Sequence, residues 1–230
     1  MNLCVIPARG GSKRIPRKNI RSFRGRPMIT WSIAAAQAAG CFDRILVSTD
    51  DEEIAKLAAD HGAEVPFLRP AHLADDHATT QAVVLHTVQW CQQQGLPLEA
   101  VCCLYATAPF VQPADLAEAV GLLKQAPPES FVFTATSFPF PIQRAIRIDA
   151  DGRSAMFQPE HFITRSQDLE EAYHDAGQFY LARASAWANR SNLFDNGRPL
   201  LLPHWRVQDI DTEEDWKRAE LLGCLLEANT

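Results

Sequence analysis

Residues 3–19 read Leu3-Cys4-Val5-Ile6-Pro7-Ala8-Arg9-Gly10-Gly11-Ser12-Lys13-Arg14-Ile15-Pro16-Arg17-Lys18-Asn19. The opening run, Leu3 to Ala8, is short and continuously apolar, the pattern of a strand buried on both faces. A loop rich in Gly, Pro and basic side chains follows it. Glycines let backbone N–H groups approach phosphate oxygens, and Arg and Lys neutralise polyphosphate charge. The loop contains neither G-x-x-x-x-G-K-[ST] nor G-x-G-x-x-G, so it is not a Walker A loop or a dinucleotide fingerprint. A solvated basic turn is the plainer alternative, and a phosphate cradle explains the charge density better.

Outward from this loop, helices and strands alternate. A helix is predicted from about Pro27 to Ala39, a strand at Arg44–Ser48 and a helix at Asp51–His61. A short strand at Ala63–Pro66 leads through a polar stretch, Leu68–His77, to a helix at Thr79–Gln94. A strand at Ala100–Tyr105, a helix at Pro113–Gln125 and a strand at Phe131–Thr136 complete the series. Such alternation predicts an α/β fold with a mostly parallel sheet sandwiched by helices, which binds ligands at the carboxyl ends of its strands. The rhythm stops at Ser137. Residues 137–190 read as an inserted arm of extended segments and turns. Val207–Ile210 then returns to the sheet, and Glu213–Leu226 forms a last helix. The expected division is therefore an α/β domain of residues 1–136 and 191–230, with the arm at 137–190.

Composition narrows the function. No apolar run approaches the roughly 20 residues of a membrane span. The Arg-rich start, with no acidic residue before Asp43, resembles a transit peptide, but Gly10, Gly11 and Pro16 would break an amphipathic helix, so the segment is read as part of the fold. Six cysteines form no C-x-x-C pair and the histidines are scattered, which argues against a zinc site and an oxidising compartment. Net charge is −6, yet eight of 22 basic residues fall within the first 26 positions. One concentrated basic loop on an acidic protein fits a polyphosphate ligand better than nucleic acid, which favours charge spread over a face.

Three further segments carry candidate chemistry. In Asp209-Ile210-Asp211, alternation along an extended chain would put both carboxylates on one side and Ile210 in the core. Two carboxylates plus substrate phosphates commonly hold Mg²⁺. Equally, Asp211 or Thr212 could cap the last helix, with Glu214 or Asp215 in its first turn. In Ser48-Thr49-Asp50-Asp51-Glu52-Glu53, Thr49 or Asp50 as an N-cap accounts for most of the pattern. In Thr164-Arg165-Ser166-Gln167, Arg165 could pair with a substrate carboxylate. His174 and Asp175 are adjacent on an extended segment and point apart, so no dyad is expected.

Taken together, Ile6-Pro7-Ala8-Arg9-Gly10-Gly11-Ser12-Lys13, Lys18-Asn19, Val47-Ser48-Thr49-Asp50, Arg69-Pro70 and Asp209-Ile210-Asp211-Thr212 resemble, in the same order and from end to end, the CMP-sialic acid synthetase family. Tyr105-Ala106-Thr107-Ala108-Pro109-Phe110 and the segment Thr164 to Gln178 look like the family's pseudaminic acid branch. The resemblance implies a Rossmann-like nucleotidyltransferase fold in a cytoplasmic, Mg²⁺-dependent homodimer. It implies transfer of CMP from CTP to a nonulosonic acid, with no nucleic-acid or membrane partner and with 137–190 as the dimerisation arm. Arg9, Lys13 and Lys18 would offset charge on the leaving pyrophosphate, with Ala8, Gly10, Gly11, Ser12 and Asn19 around the nucleotide. Arg69 and Thr80 match cytosine-reading positions, and Asp209 and Asp211 match the Mg²⁺ ligands. Tyr105, Thr107, Arg165, Gln167 and Gln178 would face the sugar. Two departures stand out: Tyr105 replaces the Gln of the family's Gln-Pro-Thr-Ser-Pro, and Asp175-Ala176-Gly177 stands where many relatives carry Asn-Gly. The first points away from N-acetylneuraminate and towards pseudaminic acid.

Overall fold

The computed structural model describes residues 1–189 and 192–227. The strands are β1 (Asn2–Pro7), β2 (Ser22–Phe23), β3 (Arg26–Pro27), β4 (Arg44–Ser48), β5 (Ala100–Leu104), β6 (Val132–Ser137), β7 (Ile146–Ile148), β8 (Ser154–Met156), β9 (Tyr173–Arg183) and β10 (Arg198–Leu201). The helices are α1 (Met28–Ala39), α2 (Glu52–Asp60), α3 (Thr80–Gln93), α4 (Pro113–Gln125), α5 (Ala184–Asn189) and α6 (Glu213–Glu227). Six strands form the central sheet in the order β10-β6-β9-β5-β1-β4. β1 pairs in parallel with β4 and β5, and β10 with β6, whereas β9 runs antiparallel to both its neighbours.

Side-chain alternation sorts the core into two layers. Cys4, Ile6, Val47, Cys102, Leu104, Phe179 and Leu181 face a layer that includes Ile29, Ile33, Ile54 and Leu116 from α1, α2 and α4. Leu3, Val5, Val101, Cys103, Tyr180 and Ala182 face the other way, against Val84 and Val88 of α3 and Trp187 of α5. A third cluster lies outside the sheet. Ile15 from the basic loop, Phe23, Phe110, Ile210 and Trp216 pack together there, all buried.

The arm expected at 137–190 is shorter than its sequence suggests. Residues 138–172 leave the carboxyl end of β6 and come back to the same end, so the next strand must run in reverse. That strand is β9, in the middle of the sheet, and α5 packs behind it. The β-ribbon β7–β8 remains in the arm, which exposes Phe140, Ile148, Phe157, Phe162 and Ile163. Val207–Ile210 makes no strand pairing; β10 is the strand that returns to the sheet.

β9 is also irregular. Phe133 of β6 faces Tyr180, yet Ala135 faces Asp175, so four residues of β9 bulge opposite Thr134 alone. Gly177 turns the bulge at φ +61°, a region that costs an L side chain about 1 kcal/mol or more. The bulge carries Asp175 and Gln178 to the carboxyl edge of β5, where the Gln178 carbonyl accepts from the Tyr105 N–H at 2.9 Å.

Candidate active site

A cleft of about 390 Å³ opens at the carboxyl ends of β1, β4 and β5. Arg9, Lys18 and Asn19 line it from the basic loop, and Arg69 and Thr80 from the segment leading into α3. Tyr105 and Thr107 follow β5, and Asp211 closes the far side. These eight expected site residues are thus brought together. Ala8, Gly10, Gly11, Ser12 and Lys13 lie on the same loop but do not line the cleft, nor do Asp209, Arg165, Gln167 and Gln178.

The loop is held open by its own contacts. The Asn19 side chain donates to the Arg9 carbonyl at 2.9 Å, and the Ile29 N–H donates to the Asn19 carbonyl at 2.8 Å. The Gly10 N–H donates to Asp50 at 3.0 Å. A Cβ at Gly10 would come 2.7 Å from an Asp51 carboxylate oxygen, which explains why this position has no side chain. Asp51, and neither Thr49 nor Asp50, caps α2: its carboxylate accepts from the N–H groups of Glu53 at 2.9 Å and Ile54 at 3.0 Å.

Arg69 is buried. Its guanidinium donates to the Ser48 hydroxyl at 3.1 Å, the Ser48 carbonyl and the Leu73 carbonyl at 3.3 Å. Burial lowers its pKa from the ordinary arginine range, against the pull of Asp50. Thr80 sits within 3.3 Å of the Tyr105 hydroxyl. Asp75 and Asp76 also line the cleft and were legible only as part of a polar stretch. Asp76 bridges Arg9, at 2.7 Å, and Lys13, so an exposed carboxylate lies where these two cations converge. An acidic pair facing a basic loop was the signal available for it.

The two readings of Asp209-Ile210-Asp211 separate cleanly. Thr212 caps α6: its hydroxyl accepts from the Asp215 N–H at 3.2 Å, and the Asp215 carboxylate accepts from the N–H groups of Thr212 at 2.8 Å and Asp211 at 3.2 Å. Both upstream carboxylates are therefore spared from capping. Asp211 pairs with Arg14 at 2.7 Å and Lys18 at 3.2 Å. Lys18 also donates to the Ile210 carbonyl at 2.7 Å, tying the basic loop to the acidic one. Partial burial, then the Asp211 carboxylate, push the Asp209 pKa above the usual carboxylate value, although its side chain reaches solvent. Among the described residues no group of three or more His, Cys, Asp or Glu side chains is arranged to hold a metal ion.

The remaining sugar-side candidates lie elsewhere. Arg165 is exposed on the arm and pairs with Asp168 at 2.7 Å; Gln167 is exposed beside it. Gln178 is only 4% exposed, its amide donating to the Arg206 carbonyl at 3.4 Å while its side-chain oxygen has no partner. Arg206 in turn forms a buried bidentate pair with Asp115, at 2.7 and 3.0 Å.

A basic loop, a buried arginine and the ion-paired Asp211 meet around one cleft, an arrangement whose charge suits a polyphosphate. The cytidylyltransferase family model matches residues 3–219, and the chain belongs to that family. It is 45% identical to the pseudaminic acid cytidylyltransferase of Campylobacter jejuni subsp. jejuni serotype O:2, over 96% of this chain and 95% of that one. It is 35% identical to the CMP-N,N'-diacetyllegionaminic acid synthase of Legionella pneumophila, again over 96% and 95%. The fold is shared with a CMP:2-keto-3-deoxy-manno-octonic acid synthetase solved with CTP, at TM-score 0.71 and 16% identity, covering 97% of this chain and 98% of that one.

Proposed function

We propose that this cytidylyltransferase transfers CMP from CTP to the anomeric hydroxyl of pseudaminic acid and releases pyrophosphate. The observation that carries the reading is the 45% identity to a pseudaminic acid cytidylyltransferase along nearly the whole of both chains. Tyr105 at the cleft wall supports the choice of sugar, because it stands where sialic-acid enzymes present a glutamine amide.

The chemistry follows from the cleft. Displacement at the α-phosphorus depends mostly on positioning and electrostatics. Arg69, Thr80 and Asn19 would hold the nucleoside, while Arg9, Lys13 and Lys18 would take up the charge of the leaving pyrophosphate. Asp209 and Asp211 suit Mg²⁺ shared with substrate phosphates: neither caps a helix, and their mutual repulsion opposes leaving them both bare and charged. Bound there, Mg²⁺ would polarise the α-phosphate and favour ionisation of the attacking hydroxyl. Removing one such electrostatic contact typically costs on the order of 10²–10³ in rate.

The exposed aromatic and aliphatic side chains of the arm, Phe140, Phe162 and Ile163 among them, fit a homodimer in which each arm is covered by the partner, with Arg165 brought to a sugar carboxylate. No helix among the described residues is long and apolar enough to cross a membrane; a cytoplasmic location, with access to CTP, is part of this proposal.

The test is pyrophosphate release from CTP and Mg²⁺ with pseudaminic acid, legionaminic acid and N-acetylneuraminate compared side by side. Fastest turnover with pseudaminic acid is expected. Fastest turnover with either other sugar would keep the cytidylyl transfer and overturn the sugar.

A further inference from the structure

One carboxylate of the cleft already occupies two of the cations that a polyphosphate needs. Asp76 accepts from Arg9 on one oxygen, at 2.7 Å, and from Lys13 on the other. The Arg9 guanidinium also donates to the Asp75 carbonyl at 3.2 Å. Asp75 in turn folds back on its own backbone, accepting from the N–H groups of His77 at 2.9 Å and Ala78 at 2.8 Å. The resulting tight turn presents Asp76 to the basic loop. Hydrogen bonds from Lys13, then Arg9, hold its carboxyl below the ordinary aspartate value, so it stays charged at neutral pH.

A carboxylate that bridges two cations through its two oxygens does what a phosphate group would do there. Polyphosphate and Asp76 cannot both hold Arg9 and Lys13, because like charges would meet at one place. The side chains of Arg9, Asp76 and Lys13 are 38%, 40% and 79% exposed. Release therefore needs only a turn of the Asp76 side chain into water, and the pairs it breaks are of the weak, solvent-screened kind. Asp76 thus lowers the affinity of any ligand that reaches these two cations.

We infer that Asp76 is an internal competitor for the pyrophosphoryl end of CTP, one that yields Arg9 and Lys13 to the incoming nucleotide and takes them back as pyrophosphate departs. This goes beyond the reading of Arg9 and Lys13 as polyphosphate contacts, and rests on it. It divides the ligands into two classes. CTP and pyrophosphate carry the competing end, whereas CMP and the sugar do not.

The test is calorimetric titration of the free protein with pyrophosphate, CTP and CMP in low-salt buffer containing Mg²⁺. Asp76→Asn keeps the shape of the side chain and removes its charge. With two exposed ion pairs no longer to be broken, pyrophosphate and CTP should bind the variant about 2- to 10-fold more tightly. CMP affinity and the melting temperature should stay close to wild type. In a Lys13→Gln background the same substitution should gain less, because one of the two contested cations is gone. In turnover, Asp76→Asn should show a lower CTP KM and stronger inhibition by pyrophosphate. Unchanged or weaker pyrophosphate binding by Asp76→Asn, or an equal gain for CMP, would overturn the inference alone. Wild-type pyrophosphate affinity in both Arg9→Gln and Lys13→Gln would instead sink the underlying reading of the basic loop.

Discussion

The buried Arg206–Asp115 pair allows a quantitative test of how the acidic loop is anchored. Each residue is 7% exposed, and the two are joined by hydrogen bonds of 2.7 and 3.0 Å. Asp115 lies in the first turn of α4, and Arg206 immediately precedes the stretch that carries Asp209 and Asp211. In Arg206→Met the Asp115 carboxylate would retain the Gln112 N–H, at 3.1 Å, as its polar partner. Stranding a buried charge in this way costs about 3–5 kcal/mol. For a chain of this size each kcal/mol moves the melting temperature by about 2–4 °C, so the expected fall is about 6–20 °C. Replacing both partners, as Arg206→Met with Asp115→Leu, removes the charge along with its mate and should recover most of the loss. The assay is thermal unfolding followed by circular dichroism at one fixed protein concentration, since any dimer makes the midpoint concentration-dependent. A fall of less than about 2 °C in Arg206→Met would refute the argument, because it would mean that water reaches the stranded carboxylate.

Other outcomes follow from contacts already described. Asp211→Asn should lower turnover by on the order of 10²-fold or more with little change in melting temperature, whereas Thr212→Val should cost about 1 kcal/mol of stability and leave turnover near wild type; steady-state rates and melts on both variants check the split. Burial would raise the Asp51 pKa, but the Ile54 N–H, Arg17 and the Glu53 N–H together hold it below its ordinary value. Its stabilising contribution is therefore complete above about pH 4–5 and is lost as pH falls through the depressed folded value, so Asp51→Asn should flatten the acid limb of stability against pH. Phe162→Asp combined with Ile163→Asp should yield monomers by light scattering if the arm makes the dimer, and an unchanged mass would remove the arm from that role.

Much of this architecture can be read directly from local sequence. β1, β4, β5 and β6 are short, continuously apolar runs, and buried strands in a covered sheet leave that signature. β9 escaped because its first half is polar. Tyr173-His174-Asp175 emerges at the site end of the sheet, and Gly177 breaks the run where the bulge turns. Only Phe179 to Ala182 reads as buried strand, and four residues flanked by irregular sequence look like a loop. Val207–Ile210 misled for the opposite reason: Ile210 is buried, but against the basic loop and α6 rather than in the sheet. Within the site, the basic loop and Arg69 were legible from motifs that resemble the family's, Thr80 from its matching position, and Tyr105 as a departure from the family's Gln. Asp76 and Tyr180 were not, because Arg9 and Tyr105, against which they lie, are brought close by the fold and are far away along the chain.

The two oppositely charged loops of the cleft share one apolar anchor. Ile15 in the basic loop and Ile210 between the two aspartates are both fully buried in the cluster with Phe23, Phe110 and Trp216. The distance between the cationic and anionic halves is thus held by packing, which dissolved ions do not weaken, more than by the exposed Arg14–Asp211 pair and the partly buried Lys18–Asp211 pair that span the gap. Ionic strength should therefore act on this enzyme through the affinity of its charged substrates while the site keeps its shape. Raising salt would lift the CTP KM and leave the rate at saturating CTP nearly untouched, a behaviour closer to that of a rigid die than of a clasp that charge pulls shut.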